Sequence, residues 1–344
     1  MRILMAPMQG VVDFHLRKIL TRIGGIDGCV TEFIRVTEHR LPERVFYRYC
    51  PELKNNAKTY SQTPVKIQFL GSNPQALAAN AQKAARLGAT DIDLNFGCPA
   101  KIVNNNLGGA RLLNDPELIF RIVSEVRQSL PESVSLSAKI RLGYEQRDRY
   151  LEAAHAVESG GASELVVHAR SKADGYQPPA YWHLISEIQS KVAISVVSNG
   201  EIWTLDDWQK CCEQSQTHDV MLGRGLLAKP DLALIIKRHI QSDTRDPSVP
   251  AMNWQDACGL LFDYHQQTRD FYPKKYLGNR IKQWLAYLQI EFPEAGDFLQ
   301  RIKRSRDDTF LCQQFALELN DPEHRQSDDC PTENPQSLPR VLAR

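Results

Sequence analysis

Eight short apolar runs with strand character, each followed by a stretch of helical spacing, constrain this chain more than any other feature. They are "ILMAPM", "CVTEFI", "VKIQFLG", "DIDLNFG", "SLSAKIRLG", "ELVVHAR", "ISVVSNG" and "DVMLGRG", spread between Ile3 and Gly225. The segments between them, such as "PQALAANAQKAARLGA" and "PELIFRIVSEVRQSL", place apolar residues three and four apart, as one helix face requires. Strands that alternate with helices pair in parallel through right-handed crossovers. Eight such units in about 240 residues predict an α/β fold, a closed (β/α)8 TIM barrel. A doubly wound open sheet is the competing architecture, but no G-x-G-x-x-G fingerprint follows the first run.

A polar, proline-containing stretch, "SDTRDPSVPAMNW", ends the alternation. Beyond it, "WQDACGLLFDYHQQTRDFY", "LGNRIKQWLAYLQIEF" and "EAGDFLQRIKRS" read as the helices of a small all-helical domain. The expected organisation is a catalytic barrel over 1–242, a helical domain over 251–318 and a disordered, proline-rich polar tail over 319–344. A chain of 344 residues with 42% hydrophobic and 24% charged residues has the composition of a soluble globular protein. Its net charge of +1 means that any surface for a polyanion must be local. One candidate runs from Arg269 to Arg306, where nine Lys or Arg stand against four Asp or Glu. No apolar run reaches the length of a membrane span, and "MRILMAPMQG" is broken too early for a signal peptide, so a cytoplasmic protein is expected. Eight cysteines without any C-x-x-C spacing argue against a zinc or iron–sulfur site, and most are expected to be reduced.

In a parallel barrel, the side chains at the carboxyl ends of the strands face the active site. Here those ends carry Pro7 and Met8, Arg35, Gln68, Asn95 with Cys98, Lys139 with Arg141, His168 with Arg170, Asn199-Gly200, and Gly223-Arg224-Gly225. A lone strand-end Lys or His is more often a structural residue than a catalyst; so many loaded ends on one rim are harder to dismiss. Loops after the seventh and eighth strands commonly bind phosphate through backbone N–H groups. "SNG" and "LGRG" supply glycines for close approach there, and Arg224 adds a charge. A cation such as Lys139 beside a flavin would stabilise the anionic reduced ring, and Gln68 offers both donor and acceptor to the pyrimidine edge. Phosphate at one end and ring contacts at the other fit FMN, although other phosphorylated ligands would fit the same residues. Cys98 sits between Gly97 and Pro99, where proline stops the strand. With an ordinary pKa of about 8.5 and no base beside it in sequence, the thiol is suited to giving a proton rather than to attacking. Facing a flavin, such an acid serves the reduction of a polarised C=C bond.

The stretches "MAPMQGVVD", "TEFIRV", "DLNFGCPAKIV", "AKIRLG", "LVVHAR", "SNGEI" and "LGRGLL" resemble the tRNA-dihydrouridine synthase family, from Met1 to about Phe315. "LNFGCP" with a lysine two residues after the proline is the most specific of them. "TEFIRV" and "RIKQWLAYL" most resemble the C-type bacterial subgroup, which acts at position 16. The resemblance implies an FMN-containing barrel, a helical tRNA-binding domain, and reduction of the C5=C6 bond of a D-loop uridine with hydride from NADPH. By motif match, Cys98 would protonate C5. Pro7, Met8 and Gln9 would line FMN, with Gln68 and Lys139 on its ring. His168, Asn199, Gly200, Glu201, Gly223 and Arg224 would complete the cofactor contacts. Asn95, Arg141 and Tyr176 would lie near the uridine or adjoining tRNA, and Arg35, Arg280, Lys282 and Lys303 would orient the tRNA. A monomer without metal is expected. Two departures stand out: Ala169 where the family often has glycine, and the irregular loop "NNNLGGARLL". A barrel reducing a free pyrimidine, akin to dihydroorotate dehydrogenases, leaves the basic helical segment without use. An inactive barrel that only binds RNA leaves Cys98, Lys139 and Arg224 unexplained.

Overall fold

Each apolar run becomes a parallel strand in the computed structural model, which describes residues 1–241 and 251–319. The strands are β1 (Ile3–Met5), β2 (Gly28–Val30), β3 (Ile34–Arg35), β4 (Val65–Leu70), β5 (Asp91–Asn95), β6 (Ser135–Arg141), β7 (Glu164–His168), β8 (Ser195–Asn199) and β9 (Asp219–Leu222). Their order is β2-β1-β9-β8-β7-β6-β5-β4-β3, and pairing of β2 with β4 closes eight of them into a barrel. The ninth, β3, is a two-residue strand beside the end of β4, with Arg35 opposite Leu70. The single run "CVTEFI" therefore yields two strands. Thr31 lies between them and spends its side chain on the ladder, its Oγ1 accepting the Gln68 backbone N–H at 3.1 Å. The expected tail beyond residue 319, and the linker residues 242–250, lie outside the described residues.

Helix starts follow plain sequence signals. Asn73 precedes Pro74, and its side chain caps the helix Pro74–Arg86 by accepting the Ala76 N–H. Asp115 before Pro116 does the same for the helix Pro116–Ser129, through Leu118 N–H at 3.0 Å. These helices bury Leu77, Ala81 and Ala84, and Ile119, Ile122, Val123 and Val126, the faces their spacing marked as apolar.

Residues two apart on a strand share a face, so parallel register sorts the barrel into layers. At the amino ends Glu164 accepts from Lys66 at 2.7 Å and from Arg2 at 2.8 Å, and Arg2 also pairs with Asp219 at 2.6 Å. Leu4, Ala6, Val30, Val166, Val197 and Met221 cluster as an aliphatic layer. Toward the carboxyl ends the register pairs Gln68 with Asp93, Asp93 with Ser137, Asn95 with Lys139, Arg141 with His168, and His168 with Asn199. That polar row is the candidate site.

The chain divides into two compact units, 1–14 with 26–223, and 15–25 with 224 onward. The second unit is helical and packs around buried Trp284, Tyr264, Phe298 and Phe315. Within it the Trp284 indole N–H donates to the Leu227 carbonyl at 3.0 Å, and Arg22 pairs with Asp263. The helix Leu232–Gln241, counted with the barrel by its place in the sequence, lies in this unit. Among the described residues no helix is long and apolar enough to cross a membrane.

The amino-end charges give a test of the barrel. Replacing Glu164 with Leu leaves Lys66 without its carboxylate partner at a site that is only 14% exposed. Urea denaturation should show a loss of about 3 kcal/mol. A change below about 0.5 kcal/mol would mean that solvent already screens these charges.

Candidate active site

The strand β5 delivers Cys98. After Asn95 the chain leaves the sheet, and the Asn95 side-chain oxygen accepts the backbone N–H groups of Gly97 (3.0 Å) and Cys98 (2.9 Å). From the other side the Cys98 carbonyl accepts the Ala110 N–H at 3.0 Å and the Asn104 amide at 3.2 Å. Gly109 must be glycine to allow this: its φ is +60°, and a Cβ would stand 2.8 Å from the Cys98 oxygen. The irregular loop "NNNLGG" is thus a seat for the cysteine. Arg141 adds a third restraint, with Nε donating to the Gly97 carbonyl at 2.9 Å and Nη1 to the Ser171 and Gly175 carbonyls at 3.0 and 2.9 Å. Its guanidinium also lies 5.1 Å from the Tyr176 ring centre, so the cysteine loop and the loop after β7 are tied together.

Next along the rim, the half-buried Lys139 donates from Nζ to Asn199 Oδ1 at 2.7 Å, and the Asn199 amide nitrogen donates to the Met221 carbonyl at 2.8 Å. His168 meets the edge of Tyr176 at 5.9 Å between ring centres. Gly200, at φ +114°, brings its backbone against the imidazole, where a Cβ would be 3.3 Å from Nε2. The Gly200 carbonyl is held by the Trp182 indole N–H at 2.9 Å. Near β1, a Cβ on Gly223 would sit 3.8 Å from the Met8 sulfur and 3.5 Å from Ala6 Cβ. Pro7 and Met8 are half-buried, and the exposed Gln9 accepts the Phe33 N–H at 3.0 Å.

The structure brings Gln68, Asn95, Cys98, Lys139, Arg141, His168, Tyr176, Asn199 and Gly200 onto the contiguous ends of β4 to β8. Glu201 is turned instead toward the fully buried Arg170 and forms an ion pair with it. Arg35 is exposed on β3, and Arg224 opens the short helix Arg224–Ala228 of the second unit. In that unit Arg280 lies over the Tyr272 ring at 4.7 Å, Lys282 donates to the Ser305 carbonyl, and exposed Lys303 reaches Gln300. Asp93 and Ser137 escaped the sequence reading as site residues, and so did the pairing of Arg170 with Glu201. A signal existed for Asp93, because alternation along "DIDLN" puts it on the face of Asn95.

Electrostatics separate an acid from a cation on this rim. Burial pushes the Cys98 thiol above its ordinary value, against the Ala100 N–H and the Arg141 charge. It stays a thiol at neutral pH. Burial, aided by Arg141 and opposed by Asp93, brings the Lys139 ammonium down to about 7. An anionic group placed beside Lys139 would favour its charged form. The rim therefore offers a proton donor, a cation that responds to negative charge, and glycine-lined backbone.

Residues 4–319 match the dihydrouridine synthase (Dus) family. The chain is 48% identical over 317 residues to the tRNA-dihydrouridine(16) synthase of Aquipseudomonas alcaligenes, covering 92% of this chain and 99% of that protein. With the tRNA-dihydrouridine(16) synthase of Haemophilus influenzae it shares 44% identity over 322 residues, covering 93% and 100%. Its fold is similar to a 2-naphthoyl-CoA reductase solved with 2-naphthoyl-CoA, at TM-score 0.54 and 12% identity, over 69% of this chain and 50% of that one. A histamine dehydrogenase from Rhizobium sp. 4-9 is similar at TM-score 0.52 and 13% identity, over 69% and 46%.

A raised thiol pKa predicts the pH profile of Cys98. Alkylation by iodoacetamide, read on the Cys98 peptide by mass spectrometry, should climb about tenfold per pH unit through pH 9 without levelling. A plateau below pH 8 would identify a thiolate and contradict the assignment of an acid.

Proposed function

Since the chain belongs to the dihydrouridine synthase family, we propose that it reduces the C5=C6 bond of uridine 16 in the tRNA D-loop to 5,6-dihydrouridine, with FMN as cofactor and NADPH as reductant. One observation carries the reading beyond the family. A protonated thiol and a cation share adjoining strand ends, because Asn95, which holds the Cys98 amide, is in register with Lys139. Lys139 would serve the flavin ring and Cys98 the uracil ring beside it.

The residues present fit FMN. Lys139 commits one N–H to Asn199 and keeps two for a ring carbonyl. Gly200 and Gly223 leave backbone open to phosphate oxygens next to His168 and Met8, and Arg224 follows Gly223 in the chain with a positive charge. Pro7 and Met8 provide an apolar wall, and Gln9 lies beside them. When bound, FMN supplies hydride for C6 of the uracil ring. The chain's own residues do the rest. Cys98 holds the proton for C5, and Arg141 and Asn95 hold the loop that carries it. Asn95 retains one amide N–H for the base, and half-exposed Tyr176 offers a face for it. Gln68, with one N–H and one lone pair left, completes the floor.

Uridine in a folded tRNA must leave its stack to reach such a rim, as for other base-modifying enzymes. The RNA contacts belong to Arg35, Arg280, Lys282 and Lys303, which set register and orientation rather than read sequence. Arg280 stacked on Tyr272 is a cation with a fixed direction. Position 16 rests on the relatives, whose names specify it. The protein acts as a monomer in the cytoplasm.

Cys98→Ala divides the reaction in two. The variant should keep its flavin and accept hydride from NADPH at the normal rate. Oxidation of the reduced flavin by tRNA should slow about 10²- to 10⁴-fold, the worth of a general acid. Stopped-flow absorbance follows both halves, and unchanged oxidation by tRNA would make Cys98 structural.

A further inference from the structure

Four side chains that carry the row from β4 to β6 are buried: Gln68, Asp93, Asn95 and Ser137 are 0%, 1%, 8% and 1% exposed. They form one directed chain of hydrogen bonds. Lys66 Nζ reaches Ser137 Oγ at 3.4 Å, and Ser137 donates to Asp93 Oδ1 at 2.7 Å. The Gln68 amide nitrogen donates to Asp93 Oδ2 at 2.6 Å. The Asn95 amide nitrogen donates to the Gln68 oxygen at 2.8 Å, and the Asn95 oxygen accepts Gly97 and Cys98 N–H.

The two ends of this chain have no freedom. Burial pushes the Asp93 carboxyl up, while the hydrogen bonds from Gln68 and Ser137 and the Lys66 charge favour its ionised form; as a carboxylate it only accepts, and backbone N–H groups only donate. Two primary amides lie between, and each can be turned either way. Only one arrangement leaves no like-against-like contact: Gln68 gives its nitrogen to Asp93, which leaves its oxygen for Asn95, which leaves the Asn95 oxygen for the cysteine loop. Turning Gln68 over would set a carbonyl against the carboxylate and an NH2 against an NH2. In a buried site each such mismatch leaves polar groups unsatisfied.

We propose that Asp93 is a positioning residue: through Gln68 it fixes the amide polarity of Asn95, and so holds the Cys98 loop in place. Its catalytic meaning rests on Cys98 being the proton donor; the positioning itself does not. Asp93 touches no reacting atom. It acts through two intervening amides, by deciding which end of Asn95 faces the Cys98 N–H.

A polarity swap tests this in the full-length protein as purified. Asn95→Asp places an acceptor against the Gln68 oxygen, or, if Gln68 turns, places the Gln68 oxygen against Asp93. Loosening the loop by about one hydrogen bond should speed iodoacetamide alkylation of Cys98 about fivefold and lower the melting temperature. Adding Asp93→Asn moves the acceptor-only group by two positions. The new amide at 93 can donate to a turned Gln68, which then donates to the new carboxylate at 95. The double variant should return alkylation to within about twofold of the parent. Asp93→Leu is the control, because it removes the charge without supplying a donor and should not rescue. If Asn95→Asp fails to fold, Gln68→Met cuts the link instead: alkylation should rise, and adding Asp93→Asn should then leave it within about twofold, a larger change overturning the proposal. Equal rescue by Leu and Asn, or no rescue by Asn, would overturn the proposal. Neither readout uses tRNA or turnover, so a failure of the proposed reaction would leave the result intact.

Discussion

The register of β5 against β4 and β6 is the constraint on which the site depends. It sets Asp93 between Gln68 and Ser137 and sets Asn95 opposite Lys139. A slip of one residue would turn every inward side chain of β5 outward. The apolar outer face, with Ile92 and Leu94 buried, opposes that slip. Packing outside the barrel therefore fixes the polar row inside it. From that row the Cys98 loop is held at three places: by Asn95 on its N–H groups, by Arg141 on the Gly97 carbonyl, and by Asn104 with Ala110 on the Cys98 carbonyl.

The rim divides its labour by electrostatics. Both Cys98 and Lys139 lose solvent, and the same desolvation moves them in opposite senses. The thiol becomes a weaker acid and keeps its proton; the ammonium becomes easier to neutralise. Arg141 acts on both, favouring thiolate at one and neutral amine at the other. Its geometric contribution lies in the hydrogen bonds it gives to the Gly97, Ser171 and Gly175 carbonyls. That is a different part from the direct RNA or base contact that resemblance alone assigned to it, and the two are compatible through its Tyr176 face.

The barrel was legible because strand and helix periods differ, and Asn73-Pro74 and Asp115-Pro116 mark helix starts in the sequence itself. The placement of polar side chains at the strand ends was legible too, because a parallel barrel exposes one end of every strand. What depends on pairing was not. Nothing in "DIDLN" names Gln68 as the partner of Asp93, and nothing in "HAR" or "NGEI" announces that Arg170 and Glu201 will meet. The split of "CVTEFI" into β2 and β3 goes with Thr31 between them, whose hydroxyl rather than backbone takes the Gln68 backbone N–H. Likewise the helix Phe14–Ile23 looks like any first barrel helix, yet from His15 it belongs with the C-terminal helices, where Arg22 finds Asp263. Composition counted the basic residues of the helical unit but could not show that Arg280 leans on Tyr272.

The central claim is that this barrel is a uridine reductase addressed to one D-loop position. Its most direct test incubates the purified protein with FMN, NADPH and an unmodified tRNA transcript, then maps dihydrouridine at single-nucleotide resolution. Dihydrouridine should appear at position 16, with unreduced uridine elsewhere in the loop. Reduction at another position, or of free uridine in preference to tRNA, would contradict it.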